Sequence, residues 1–177
     1  MANRVTPDAA ERFTVLGIDP GLNRTGYAVI DLPDRRVRDA GIVCSTEALS
    51  LAERLREIDE GLADVLADHT VDLVAVEDLF AHYKHPRTAI LMGHARGVIL
   101  LAAARRGIEV VSLSATSVKK SLTGNGHAGK AQVQRAIVAT LGLSRCPEPP
   151  DVADALAVAL CAAIGRDGAK HQAGVMT

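Results

Sequence analysis

Val15-Leu16-Gly17-Ile18-Asp19-Pro20-Gly21 is an apolar run that climbs to one aspartate and then turns. A second apolar run, Tyr27-Ala28-Val29-Ile30-Asp31, leads away from the turn. Proline presets φ at one turn position and glycine permits positive φ at the next. Two such runs around Pro-Gly therefore read as a β-hairpin whose first strand ends on Asp19. A carboxylate fixed there cannot wander. An aspartate ahead of Pro-Gly also serves as a simple turn cap, so its meaning depends on which other acids meet it.

The rest of the chain supplies a sheet around that hairpin. Residues 1–12 read as a flexible extension. Strands are expected over 13–19, 25–31 and 36–44, with Asp31-Leu32-Pro33-Asp34 as the second turn, which gives an antiparallel meander. From Ala48 to His69 the period changes: Leu51, Leu55, Ile58, Leu62 and Val65 recur at helical spacing. Asp72 to Glu77 is a near-continuous apolar stretch between two helices, the pattern of a buried strand in a βαβ unit. A helix from Pro86 to Arg106 follows, since proline suits a first helical turn. Its Ala89, Gly93 and Gly97 form a small-residue stripe, and glycine costs helix stability. Close helix packing explains the stripe, in the core or across a dimer interface. Ile108–Leu113 is a fifth strand. A short helix to Leu122, a flexible loop Gly124–Gly129, a helix Lys130–Leu141 and a final helix opening at Asp151 complete the chain. Gly165–Thr177 reads as a loose tail. The fold class is α/β: a mixed five-stranded sheet, meander plus parallel strands, flanked by helices. Residues 13–164 make a single domain.

Only 2% of the 177 residues are aromatic while 48% are hydrophobic, so the core must be aliphatic. No signal peptide is evident, and Arg, Asp or Glu interrupts each apolar run before it reaches membrane-spanning length. Cys44, Cys146 and Cys161 are odd in number and form no CxxC, which fits a reduced, cytoplasmic protein. The formal net charge is −1, yet it is unevenly spread. From Leu79 to Arg145 there are ten basic residues and one acid, Glu109. A block of that kind is the footprint of a phosphate-backbone surface, although charge runs are also ordinary solvated helix faces. Arg87, Lys119, Lys120 and Lys130 fall within it.

Four acids stand out. Asp19 and Glu77 end strands, and chemistry in α/β sheets gathers outside the carboxyl ends of strands. Asp151 and Asp154 are three apart and share a helix face. Each has a plainer use: a capping pair at a helix start for the two aspartates, a surface ion pair for Glu77. If the four converge, they repel unless a cation lies between them. Hard oxygen donors select Mg²⁺ or Mn²⁺ over zinc. Two such ions support phosphodiester cleavage by activating water and stabilising the leaving oxygen.

LGIDPGLNRTGYAVID, VAVEDLF, LMGHARGVILLAA, TGNGHAGKAQV and PPDVADALAVAL, in that order, resemble the RuvC family of Holliday junction resolvases over Val15 to Ala163. The resemblance implies a ribonuclease H-like fold. It implies a homodimeric, Mg²⁺-dependent endonuclease with two ions per site, Mn²⁺ able to substitute, that places paired symmetric nicks in four-way DNA junctions. It carries the metal ligands and catalytic roles onto Asp19, Glu77, Asp151 and Asp154, and phosphate binding onto Lys119 and Lys130. It makes Phe80 a residue that stacks on an unpaired base and puts the Gly93–Gly97 helix at the dimer interface. The RuvA–RuvB branch-migration proteins are the implied partners. Asp78 departs from the Gln or Glu of many relatives and, on a regular strand, faces away from Glu77. The third ligand varies in the family between Asp and His, at the position of Asp151.

Phe80, directly after a strand, is otherwise a core residue, though a stacking wedge is credible at the edge of a basic loop. His82 and His85 form HxxH without further ligands, whereas structural zinc wants four. His127 is a phosphate contact or a solvated loop residue. Alternatives remain a ribonuclease H-like nuclease acting on RNA, a non-catalytic junction binder, and an ATP-binding domain of the sugar-kinase type, for which a second phosphate loop is missing.

Overall fold

The computed structural model describes residues 12–79 and 86–175, with side chains described as far as Asp167. Phe80, His82, Tyr83, Lys84 and His85 lie outside the described residues, as does most of the expected extension at 1–12. Five strands form one sheet: β1 (Phe13–Asp19), β2 (Arg24–Leu32), β3 (Arg36–Cys44), β4 (Leu73–Glu77) and β5 (Glu109–Leu113). Their spatial order is β3-β2-β1-β4-β5. β1 pairs antiparallel with β2 and parallel with β4; β2–β3 is antiparallel and β4–β5 parallel. This is the expected mixed sheet.

Strand alternation divides the core in two. Val15, Ala28, Ile30 and Ala75 point to the face covered by α3 (Ala115–Thr123), α4 (Lys130–Leu141) and α5 (Pro150–Val175). Leu16, Ile18, Val29, Val74 and Val76 point to the face covered by α1 (Leu51–Asp68) and α2 (Pro86–Ala104). α1 begins at a capping box, in which Ser50 and Glu53 satisfy each other's backbone amides.

α5 lies unusually close to the sheet. A Cβ built at Gly17 would stand 2.5 Å from Ala155 O and 2.5 Å from Ala159 N. At Gly26 it would fall against Asp151 O, closer still. Two glycines on the strands and two alanines on the helix let the backbones approach, and that approach brings the start of α5 beside the end of β1.

Several expectations change. β2 runs one residue beyond the expected 31, to Leu32, so Asp31 lies within the strand rather than opening the turn. It is buried, accepts from Thr14 Oγ1 at 3.0 Å, and pairs with Arg12 at 3.1 Å and Arg38 at 3.5 Å. Three donors make the buried carboxylate tolerable. The chain after Gly165 continues α5 to Val175: Arg166, Ala169 and Lys170 are good helix formers that work against the two glycines. There Arg35 reaches Asp167 at 2.9 Å and Arg166 stacks on Phe13. The Gly124–Gly129 loop is tied down: Asn125 Oδ1 accepts from the His127 amide at 2.9 Å, and Ala128 is buried. Among the described residues α2 is the one helix long and apolar enough, by length and composition, to cross a membrane. A methyl placed on Gly93 or Gly97 would have no neighbour within 4 Å, so the small-residue stripe is not packed against the described part of this chain.

Candidate active site at the strand ends

Register and alternation place the first two acids. β1 and β4 run parallel with Ile18 opposite Val76, so Asp19 and Glu77 end adjacent strands together. Both share parity with the residues that face α5. The close approach of α5 then adds Asp151 and Asp154 from its first turn.

The electrostatics register the convergence. Burial is the largest influence on Asp19, followed by the charges of Glu77 and Asp154, a hydrogen bond to Glu77, and the charge of Asp151. Together they push its carboxyl from 3.8 up to about 8. Asp19 therefore keeps its proton at neutral pH and donates it to Glu77. Glu77 is also raised, by burial first; the bond from Asp19 and the charge of Lys119 oppose that shift, and Asp154 and Asp78 add to it. Asp154 has a different partner, Lys130 Nζ at 3.3 Å. A shared proton and a lysine thus compensate the acids.

The donor set is all oxygen, on rigid elements, with too much negative charge for its burial. Those properties fit a hard divalent cation. Among the described residues, no three His, Cys, Asp or Glu side chains close around one point as a ligand set.

Two clefts adjoin the cluster. One of about 260 Å³ is lined by Glu77, Lys119, Lys130 and Asp154, with Val118 and Val133 as its apolar wall. Another of about 200 Å³ takes in Asp19, Glu77, Asp78 and Met92. Lys119 and Lys130, expected as phosphate-binding residues, therefore stand beside the acids. Lys120, Arg87 and His127 line neither cleft. Sequence reasoning left Asp78 without a partner; Arg96 on α2 meets it at 3.0 Å. It also missed Arg54, which donates to Ser45 and Asn23 and so fixes the turn after Asp19. Neither arginine lies near its partner in sequence, so no local pattern could have paired them.

A family model described as crossover junction endodeoxyribonuclease RuvC matches residues 15–162. A relative of that name from Rhodopirellula baltica is 55% identical, over 89% of this chain and 89% of its own length. The structure of Thermus thermophilus RuvC superposes with a TM-score of 0.79 at 32% identity, covering 88% of this chain and 97% of that one. The same protein in complex with a Holliday junction substrate gives 0.80 at 32% identity, covering 88% and 96%.

Proposed function

The chain belongs to the RuvC family of crossover junction endodeoxyribonucleases, and from that premise we propose how its own residues perform the reaction. It has a ribonuclease H-like fold and is a Holliday junction resolvase, a nuclease of DNA recombination and repair that depends on a divalent metal. The nuclease domain begins at residue 13 and extends past the expected end at 164, because α5 runs on to Val175 with Arg166 on Phe13 and Asp167 on Arg35; the enzyme is cytoplasmic.

Asp19, Glu77, Asp151 and Asp154 would hold the metal. The observation that carries this is their convergence at the ends of β1 and β4 and the start of α5, with Asp19 held near 8 by burial and by like charge. Two Mg²⁺ ions, or Mn²⁺ in their place, would activate the attacking water and stabilise the leaving oxygen when bound. Asp19 would hold the metal as the carboxylate, without the proton it keeps in the metal-free protein. Asp154, paired with Lys130 at 3.3 Å, would hold the metal when it is bound, and the ammonium of Lys130 would then serve a phosphate oxygen. Lys119 faces the same cleft and holds the backbone from α3. Lys120 and Arg87 extend the basic surface, and Phe80 stacks on a base unpaired at the crossover. No side-chain nucleophile is needed.

The enzyme acts as a homodimer. Ile90 and Leu101 on α2 are the exposed large apolar residues among those described, 61% and 47% exposed. With Gly93, Gly97 and Val98 they line a shallow groove of about 440 Å³. A second α2 seated there would relate two sites by a two-fold axis, which matches the symmetry of a four-way junction. RuvA–RuvB would deliver the substrate.

The test is cleavage of a mobile four-way junction, a linear duplex and an RNA–DNA hybrid, with nick positions mapped on both strands. Paired symmetric nicks on the junction alone are expected. Preferential cutting of the hybrid would instead support a nuclease acting on RNA.

A further inference from the structure

Alternation that aims Glu77 at α5 aims Asp78 at α2. Asp78 is the first residue past β4, and its amide still donates to Leu113 O at 2.9 Å, so the sheet ladder holds the backbone just beyond Glu77. Its carboxylate accepts from Arg96 Nη2 at 3.0 Å. The same guanidinium nitrogen donates to Ser112 Oγ on β5. One side chain from the middle of α2 thus ties two neighbouring strand ends at the mouth of the acidic cluster. Arg96 sits beside Ala95, buried against the sheet, and between Gly93 and Gly97, whose side of the helix is open.

The pair has a chemical consequence beyond packing. Four acids already converge one residue away, and Asp78 is a fifth. Unpaired and 44% exposed at its side chain, it would add negative charge beside the site and offer a competing oxygen donor. Held by Arg96, its carboxylate is engaged on the α2 side and its charge is offset in part, though that charge still reaches Glu77. Both bonds come from the one nitrogen, Nη2, while Nε is buried without a partner among the described residues; the guanidinium suits this task because it stays charged and its planar fork is pre-organised.

We propose that Arg96 is a positioning residue for the catalytic strand end: it holds the Asp78 carboxylate and offsets part of its charge, so that Glu77 is the carboxylate β4 presents to the cluster. The inference rests on the proposed role of Glu77.

Junction cleavage under single turnover, junction affinity in Ca²⁺ and melting temperature are measured for Arg96→Met, Arg96→Lys, Arg96→Met/Asp78→Asn and Glu77→Gln. Arg96→Met should slow cleavage about tenfold or more with junction affinity changed less than about twofold. Arg96→Lys should recover part of the rate. Removing the charge of Asp78 in the Arg96→Met background should recover most of it, which a purely structural arginine would not allow. The proposal is overturned if Arg96→Met cleaves at the wild-type rate, if the double variant is no faster than the single one, or if the loss follows unfolding at the assay temperature. Should Glu77→Gln itself cleave normally, the assignment of the site fails first, and the two failures are thereby told apart.

Discussion

Asp19 is a half-buried acid kept protonated by desolvation first and by its acidic neighbours second, and this has a definite sign in pH. Its carboxyl is raised from 3.8 to about 8. Between those values the folded protein holds a proton that the unfolded chain has released. The stability it contributes is full below about pH 4 and is lost as pH rises through 8, with a slope of at most about 1.4 kcal/mol per pH unit. In chelator, the melting temperature of Asp19→Asn should therefore gain on that of the wild type from pH 4 to 8; a constant gap would contradict it. Metal binding must expel the same proton, so affinity for Mn²⁺ should climb across this range. Lys130 is the complementary case. Its pair with Asp154 is 57% exposed on the lysine side, so its loss should cost little stability. Lys130→Ala should instead weaken junction binding and reduce the salt slope by about one, as read by anisotropy against salt concentration. Asp19 and Glu77 were legible in the sequence because each ends an apolar run, and the end of a strand is a position that pattern alone reveals. The compensation of Asp154 by Lys130 was not, because it spans two helices. The burial of Asp31 was hidden for a similar reason: its partners Thr14, Arg12 and Arg38 come from elsewhere in the chain.

At the scale of elements, the site depends on how close α5 comes to β1 and β2. Gly17 faces backbone atoms of Ala155 and Ala159, which cannot yield as a flexible side chain could. Gly17→Ala should cost at least about 2–3 kcal/mol and lower the melting temperature by roughly 5–10 °C. It should also impair cleavage in the fraction that stays folded, since α5 carries Asp151 and Asp154. A melting temperature within about 1–2 °C of wild type, on the order of experimental scatter, would show that the helix can retreat. Glycine in the strand pattern was visible in the sequence, but which helix it admits was not, because a close approach is a long-range contact. The five strands were readable from alternation and from runs of β-branched residues. The continuation of α5 past Gly165 was hidden, since glycine there reads as a stop while the residues after it still favour helix.

Over the whole molecule, the small net charge of −1 conceals a basic middle segment, and folding draws two of its lysines to the acidic cluster. The sequence disclosed the segment, while only the fold shows that Lys120 and Arg87 stand outside the clefts. The apolar face of α2 belongs to this scale too. The stripe Ala89, Gly93 and Gly97 was legible, but two destinations were open until the fold left its glycines uncovered among the described residues. Leu101→Glu or Ile90→Glu should shift sedimentation from twice the chain mass to the single chain and uncouple the two nicks; a dimer that persists in both variants would place the interface elsewhere. The four-acid site is tested most directly by single-turnover cleavage of a mobile four-way junction by Asp19→Asn in Mg²⁺, beside junction binding in Ca²⁺. Cleavage should fall by a factor on the order of a thousand or more with binding intact. Asp19→Asn cutting within about tenfold of wild type would contradict the four-acid site.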